Sequence, residues 1–334
     1  GAKLAGNTLT VNADAIDNTG RIQALAGSTV NAASLTNHGA SSVVLLATDN
    51  SASTMTLSGA LTNEGALHGG GNVTINAASI SNSDTAGISS LANLNLNSSG
   101  AISNAGALYA GSQLNATAAT TFTNSATSSA PQGTLDSGDS INISANTFVN
   151  NSSINATGNI TISAATLRNE TPGGDTREWY RSFTGSDTNT GTNSYYNFPD
   201  QYEEQYWSKD WSDSQRYAGG TPAFKPQIIS SGTLTLQNFS TASNLGGVIS
   251  APTVTLSGNG GASFTNNDLS LERKDYRQSW EIYTHYIALG PATYDNHVRR
   301  NDNGGVLQST TSIGSIGAGI FAGTLNAGGF TLTN

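Results

Sequence analysis

The chain has 334 residues, and its 13 Lys and Arg against 22 Asp and Glu give a net charge of −9 at pH 7. This balance argues against nucleic-acid binding, which usually requires a basic surface. The absence of cysteine excludes disulfides and thiolate metal sites, and no apolar run approaches the roughly 20 residues of a membrane-spanning helix.

A short repeat unit dominates the first half of the chain. Its clearest copy is GNITISAATLRN at 158–169, in which Ile160 and Ile162 alternate with polar residues before Leu167 and Asn169. Alternation at period two predicts a strand with one buried face, and the Gly-Asn and Asn that bound the unit predict turns. One unit is too short to bury its apolar face alone. We therefore expect copies to stack on one another.

The copies before residue 170 each end in an asparagine, and successive asparagines are 19 to 26 residues apart. We expect these residues at coil corners, where Asn can bond its own backbone and tolerate left-handed dihedrals. Val11, Ile143 and Ile162 hold the same place in their copies, which predicts one inward row. The asparagines are Asn18, Asn37, Asn63, Asn82, Asn104, Asn124, Asn150 and Asn169.

A period near 20 residues predicts an all-β fold, a parallel β-helix of about eight coils before residue 170. The alternative is an antiparallel sandwich of short strands, which has no reason to repeat one motif at one period. Two segments interrupt the coils: the first insertion, 170–226, and the second insertion, 271–304. Coils are predicted over 1–169, 227–270 and 305–334.

The two insertions contain all four Trp and 10 of the 11 Tyr. YRSFTGSDTNTGTNSYYNF in the first predicts a hairpin, and KDYRQSWEIYTHYIAL in the second predicts a strand or ribbon. We expect the insertions to pack on one another. Their aromatic residues either form a small core or, as in binding hot spots, an exposed patch, and we expect about half in each role. The candidate receptor-binding residues are Trp179, Tyr180, Tyr195, Tyr196, Tyr202, Tyr206, Trp207, Trp211, Trp280 and Tyr283.

Other site chemistry has little support in the sequence. Acidic residues in the coils do not recur at the coil spacing, which weakens a polysaccharide-cleaving site built on paired carboxylates. The Gly-rich turns lack the Asp of calcium-binding coils. His285 and His297 could contribute to a zinc site, but they have neither Cys nor an H-E-x-x-H motif beside them. We predict no catalytic residue, no cofactor and no metal.

The coil pattern resembles the filamentous haemagglutinin repeat of large bacterial exoproteins exported by two-partner secretion. Coils that are interrupted by Trp, Tyr and Arg-rich segments and resume with IISSGTLTLQN are similar to the central part of contact-dependent growth-inhibition effectors of the CdiA type. The resemblance implies a right-handed β-helix, which agrees with the usual chirality of parallel crossovers. Receptor sites vary in this family, so no binding residue is transferred from it.

The function implied is that of a non-enzymatic, monomeric receptor-binding segment in a secreted filament tethered at the outer membrane. Its partners would be an outer-membrane protein or lipopolysaccharide on a neighbouring Gram-negative cell, and the two-partner-secretion transporter that exports it. Toxin delivery would lie in other segments. A host-cell adhesin is the alternative, and a polysaccharide-cleaving β-helix enzyme is a more distant one.

Overall fold

The structure, a computed structural model, describes residues 3–125, 133–171, 177–183, 187–197, 200–217, 225–289 and 292–334. These residues form 29 strands and no helix, which confirms the all-β prediction. The chain divides into two compact units. The first unit is Gly1–Gly174, Pro222–Leu269 and Ile316–Asn334, and the second unit is Asp175–Thr221 and Ser270–Ser315.

The first unit contains one sheet of 23 strands. They are β1 (Lys3–Gly6), β2 (Leu9–Asn18), β3 (Arg21–Ala24), β4 (Ser28–Asn37), β5 (Val43–Ala47), β6 (Ser53–Leu57), β7 (Ala60–Asn63), β8 (Ala66–Gly69), β9 (Val73–Ala77), β10 (Ser79–Asn82), β11 (Gly87–Ser90), β12 (Leu94–Ser98), β13 (Ile102–Asn104), β14 (Ala107–Ala110), β15 (Leu114–Asn124), β16 (Thr134–Ser137), β17 (Ile141–Asn150), β18 (Ser153–Ala156), β19 (Ile160–Glu170), β23 (Gln227–Ser230), β24 (Thr233–Leu245), β25 (Val248–Asn267) and β29 (Gly319–Thr333).

The second unit contains a sheet of six strands. They are β20 (Arg177–Phe183), β21 (Thr188–Asn197), β22 (Asp200–Tyr217), β26 (Leu269–Leu289), β27 (Ala292–Arg300) and β28 (Val306–Ile316).

In the first unit, each strand pairs in parallel with the strand at the same place in the next repeat. Strand β17 pairs with β19, which sets Ile143 beside Ile162. Strand β19 then pairs with β24, so Ile162 lies beside Leu236 although the first insertion separates them in the sequence. Strand β25 pairs in the same way with β29, across the second insertion. The parallel ladder is therefore continuous across both interruptions.

The predicted inward row is confirmed. Ile143 and Ile162 are at most 2% exposed, and Val11, in a strand near the start of the ladder, is partly buried against the same core. Stacking identical places of successive repeats keeps apolar side chains in mutual contact. The row consists of Val11, Val30, Met55, Ile75, Leu96, Ala116, Ile143, Ile162, Leu236, Leu256 and Ala327.

The repeat asparagines form a second row, the asparagine ladder. Each Nδ2 donates a hydrogen bond to the Oδ1 of the next asparagine along the chain, at 2.7–2.9 Å from Asn18 to Asn266, and Asn266 donates to Asn334. The ladder consists of Asn18, Asn37, Asn63, Asn82, Asn104, Asn124, Asn150, Asn169, Asn244, Asn266 and Asn334.

These asparagines lie at or next to strand ends, as expected of corner residues. They do not use the left-handed dihedrals that Asn tolerates, since Asn238 and Asn301 are the described non-glycine residues with positive φ. Several do bond their own backbone two residues on, as Asn63 does to the carbonyl of Gly65 at 2.9 Å. Their main partner is nevertheless the next asparagine, because a buried amide needs a partner for both its donor and its acceptor.

The second unit is a single antiparallel layer. Strands β22 and β26 form its centre and pair over fifteen residues. This pairing confirms that the two insertions pack on one another. Strands β20 and β21 both pair with β22, each along a different part of it, and β27 and β28 both pair with β26. KDYRQSWEIYTHYIAL lies in strand β26, as predicted.

Two details differ from the sequence-based expectation. The predicted hairpin over YRSFTGSDTNTGTNSYYNF is wrong, because β20 and β21 pair with β22 and not with each other. The long strand β22 offers both of them a partner. In addition, β28 joins the second unit although it lies in the range 305–334 predicted as coils. Its residues lack the charges and aromatic rings that mark the rest of the insertion.

The inward row predicts a large cost for a buried charge. We expect Ile162→Asp to lower the free energy of unfolding by about 3–5 kcal/mol, because the carboxylate would be buried without a partner. Thr161→Asp is the matched control, since Thr161 is the neighbouring half-buried residue and pairs with Asn142 and Thr235. It should cost about 1 kcal/mol or less. Equal urea midpoints for the two variants would contradict the row.

The asparagine ladder predicts a specific cost for losing one amide. Asn104→Ala removes the acceptor of Asn82 and the donor to Asn124 inside the core, which should cost about 1–3 kcal/mol. Asn97→Ala removes an exposed bond of the same kind, from Asn97 to Asn76 at 2.9 Å, and should cost less than about 0.5 kcal/mol. Chemical denaturation of both variants measures the difference, and a similar cost for the two would show that burial is irrelevant to the ladder.

Candidate functional site

Strand alternation sorts the ten candidate residues onto the two faces of the six-stranded sheet. Residues directly opposite each other in an antiparallel pair lie on the same face, and successive residues on opposite faces. Tyr195 opposes Tyr202, for example, whereas its neighbour Tyr196 opposes Gln201. The tyrosine face carries Tyr180, Tyr195, Tyr202, Tyr206 and Tyr283. The tryptophan face carries Trp179, Tyr196, Trp207, Trp211 and Trp280.

The ten residues therefore do not form one surface. A rigid ligand that covers one face of a single-layer sheet leaves the other face untouched. Exposure also differs within the tryptophan face. Trp211 and Trp280 are only 8% and 7% exposed, whereas Trp179 is 45% and Tyr196 64% exposed. The strand register therefore divides the predicted set of residues in two.

The tyrosine face is organised by a stack of rings that crosses the sheet. Tyr195 on β21 stacks on Tyr202 on β22, with ring centroids 5.0 Å apart. Tyr202 in turn stacks on the imidazole of His285 on β26 at 4.5 Å and contacts Tyr283 at 5.7 Å. The guanidinium of Arg300 on β27 lies 3.9 Å from the centre of the Tyr283 ring. Side chains from four strands thus form one aromatic platform.

Hydrogen bonds fix the polar ends of this platform. His285 Nε2 lies 3.1 Å from Asp200 Oδ1, and the Tyr206 hydroxyl donates to Glu204 at 3.0 Å. Loss of water around Tyr195, together with its hydrogen bond to Tyr283, raises the pKa of Tyr195 from 10.0 to about 12. The bond to Glu204 likewise raises the pKa of Tyr206. These phenols stay protonated at neutral pH.

The tryptophan face is covered at its centre by its own cations. Arg299 lies 4.4 Å from the ring centre of Trp280, and Arg181 lies 5.1 Å from that of Trp211. Cations over indole rings are favourable, so these rings already have partners within the sheet. Among the described residues, no acceptor lies within hydrogen-bond distance of the buried Nε1 atoms of Trp207 and Trp211.

Two bidentate ion pairs join neighbouring strands. Arg181 on β20 holds Asp213 on β22 at 2.7 and 2.8 Å, on the tryptophan face. Arg277 on β26 holds Asp210 on β22 at 2.8 Å through both oxygens, on the tyrosine face. The hydrogen bonds from the guanidinium groups lower the pKa of both carboxyl groups below 3.8. In both pairs the two residues lie directly opposite each other, so the ion pairs agree with the register of the sheet.

The two histidines considered for zinc lie on opposite faces. His285 is in the tyrosine platform, whereas His297 Nδ1 contacts the Thr284 hydroxyl at 2.9 Å on the tryptophan face. Within the described ranges, no three His, Asp or Glu side chains stand close enough to hold a metal ion. The same part of the chain also has no helix long and apolar enough to cross a membrane.

Several residues of the tyrosine face were absent from the sequence-based set. His285, Arg277 and Arg300 contact its aromatic rings or carboxylates. Alternation within one strand could have assigned residues of β22 to a face. The partners on β26 depend on which residue opposes which, and no pattern in the sequence indicates that register.

Comparison with known proteins found no relative of this chain. No protein-family model matches the chain, and neither a curated protein nor a solved structure matches it significantly.

The ion pairs predict an acid-sensitive sheet. Because the folded pKa values of Asp210 and Asp213 lie below 3.8, the folded sheet binds fewer protons than the unfolded chain near that pH. Their stabilisation is complete above about pH 4 and is lost as the pH falls through the lowered values. All four Trp belong to the second unit, so acid unfolding followed by Trp fluorescence reports on this sheet. Asp213→Asn should weaken the pH dependence, and an unchanged acid profile would contradict the assignment.

Proposed function

We propose that this chain is the receptor-binding segment of a secreted bacterial filament similar to CdiA exoproteins. In this proposal the first unit is a right-handed parallel β-helix of filamentous haemagglutinin-type coils. The second unit recognises an outer-membrane protein or lipopolysaccharide on a neighbouring Gram-negative cell during contact-dependent growth inhibition. The segment acts as a monomer at the cell surface, is exported by a two-partner-secretion transporter, and is not an enzyme.

The geometry of the first unit supports the scaffold part of the proposal. Parallel pairing at steps of one repeat, the inward row and the asparagine ladder are features of a stacked-coil solenoid. Such a fold is elongated and needs few charged residues. The described outward positions of its strands are mostly Ser, Thr and Asn. The coils therefore offer an extended support with little chemistry of its own.

The observation that carries the binding function is the tyrosine face. Tyr195, Tyr202 and Tyr206 have no cation over their rings among the described contacts. They combine apolar rings with hydroxyl groups, as residues of protein interfaces do. The stack and its hydrogen bonds hold them in place, which lowers the entropy cost of binding. The tryptophan face, whose central rings are already covered, offers less.

A pair of neighbouring tyrosines tests which face binds. We expect Tyr195→Ala to weaken binding of the purified chain to Gram-negative target cells at least about tenfold, since it removes one end of the platform. Tyr196→Ala is the matched control: it is 64% exposed and adjacent in sequence, but lies on the tryptophan face, and should bind within about twofold of the unmodified chain. Flow cytometry of labelled protein on whole cells measures both. An equal loss of cell binding in the two variants would refute the assignment of receptor binding to the tyrosine face.

Removal of the whole six-stranded sheet tests whether the sheet, and not the coils, binds the target cell. Strands β22 and β26 pair with each other, so deleting one insertion would strip the other of its partner. We expect a chain lacking both 175–221 and 270–315, with Gly/Ser bridges, to keep its far-UV β signal and lose cell binding, because stacked repeats contact mainly their neighbours. Retained binding would assign recognition to the coils. Binding to mammalian but not bacterial cells would favour the host-cell adhesin.

A further inference from the structure

A notch interrupts the tyrosine face beside the platform. In the ladder from Asp200 to Ser214, Ser208 and Ser279 are the one directly opposed pair on this face in which both side chains are small. Tyr206 with Glu281 forms the next pair on one side, and Asp210 with Arg277 the next pair on the other. The resulting depression, here called the serine notch, has a volume of about 560 Å³.

The walls of the serine notch combine one ring with several planar polar groups. Tyr206 supplies the ring, which is 38% exposed, and its hydroxyl is held by Glu204. The guanidinium of Arg277, the carboxylate of Glu281 and the amide of Asn301 also line the notch. On the β21 side, Tyr206 faces Gly191, which has no side chain to cover the ring.

The charged groups around the notch already have hydrogen-bond partners within the protein. Arg277 is bound by both oxygens of Asp210 at 2.8 Å, and Glu281 accepts a hydrogen bond from Asn301 at 2.7 Å. A phosphate or carboxylate ligand would have to compete with Asp210 and would meet Glu281, and a cation would meet Arg277. The notch therefore fits an uncharged ligand that both donates and accepts hydrogen bonds.

We propose that the serine notch binds one hexopyranose unit of a neutral glycan. A pyranose has an apolar C–H face, which would lie on the Tyr206 ring, and a rim of hydroxyl groups. These hydroxyls would donate to Glu281 and accept from Arg277 and Asn301, whose geometry is already fixed by their partners. The inference rests on the proposed function and names its receptor chemistry as carbohydrate.

The test uses the full chain and free glucose, galactose and mannose, with inorganic phosphate as the charged comparison. Saturation-transfer NMR should detect at least one hexose, and excess inorganic phosphate, added as a competitor, should leave that signal unchanged. Tyr206→Ala should weaken hexose binding about tenfold or more, whereas Tyr206→Phe, which keeps the ring, should stay within about threefold.

A variant that fills the serine notch provides a second test of hexose binding. Ser208→Val adds bulk in a strand-compatible residue and should abolish hexose binding without unfolding the sheet. Ser194→Val, on the tryptophan face, is the control and should bind normally. Trp fluorescence checks that each variant is folded. No signal from any hexose, loss of the hexose signal on addition of phosphate, or normal binding by Ser208→Val would overturn the proposal.

Target cells separate this inference from the proposed function. Periodate oxidation of surface glycans should abolish binding of the unmodified chain to cells, and protease treatment should not. Binding that survives periodate but not protease would refute the glycan and leave the receptor-binding function standing. No binding to any Gram-negative cell, together with normal hexose binding, would refute the proposed function and leave the notch standing.

Discussion

Parallel main-chain pairing between successive repeats is the constraint on which the first unit depends. It places each residue beside its counterpart in the next repeat, so that Ile143 meets Ile162 and Asn150 meets Asn169. An apolar residue gains a similar neighbour in this way. A buried asparagine gains both a donor and an acceptor, at 2.8 Å in the case of Asn150 and Asn169. A side chain that is costly to bury alone becomes acceptable when it recurs at every step.

The second unit differs from the first in having no interior, because it is a single-layer sheet. Each face must cover its aromatic rings with whatever lies on that face. At the centre of the tryptophan face, cations cover Trp280 and Trp211. On the tyrosine face, cations cover Tyr180 and Tyr283, whereas Tyr195 and Tyr202 stack on one another with no cation over them among the described contacts. Stacking leaves ring surface and hydroxyl groups available, whereas a covering cation occupies the ring. The two faces therefore differ in what they can offer a partner, although the chain interleaves their residues.

The sequence was sufficient for features that depend on recurrence and insufficient for those that depend on register. The alternation around Ile162 and the recurrence of Asn169 indicated stacked strands and a special role for asparagine. Recurrence could not show that these asparagines bond each other, because it gives positions and not contacts. In the insertions, the density of aromatic residues indicated a site. Whether Tyr195 and Tyr196 share a surface depends on strand alternation, and the partner of Ser208 depends on how β22 aligns with β26. Local pattern also misassigned β28, which pairs with β26 despite its bland composition.

The asparagine ladder also has a direction. Every amide donates toward the C-terminal end and accepts from the N-terminal side, from Asn18 to Asn334. The side-chain dipoles therefore align head to tail, in the manner of peptide dipoles along an α-helix, and hydrogen bonds in such a chain polarise one another. The first unit thus has an electrically polar axis although its repeats carry few charged residues. An amide in the middle of this chain is polarised from both sides, and an amide at either end from one side only.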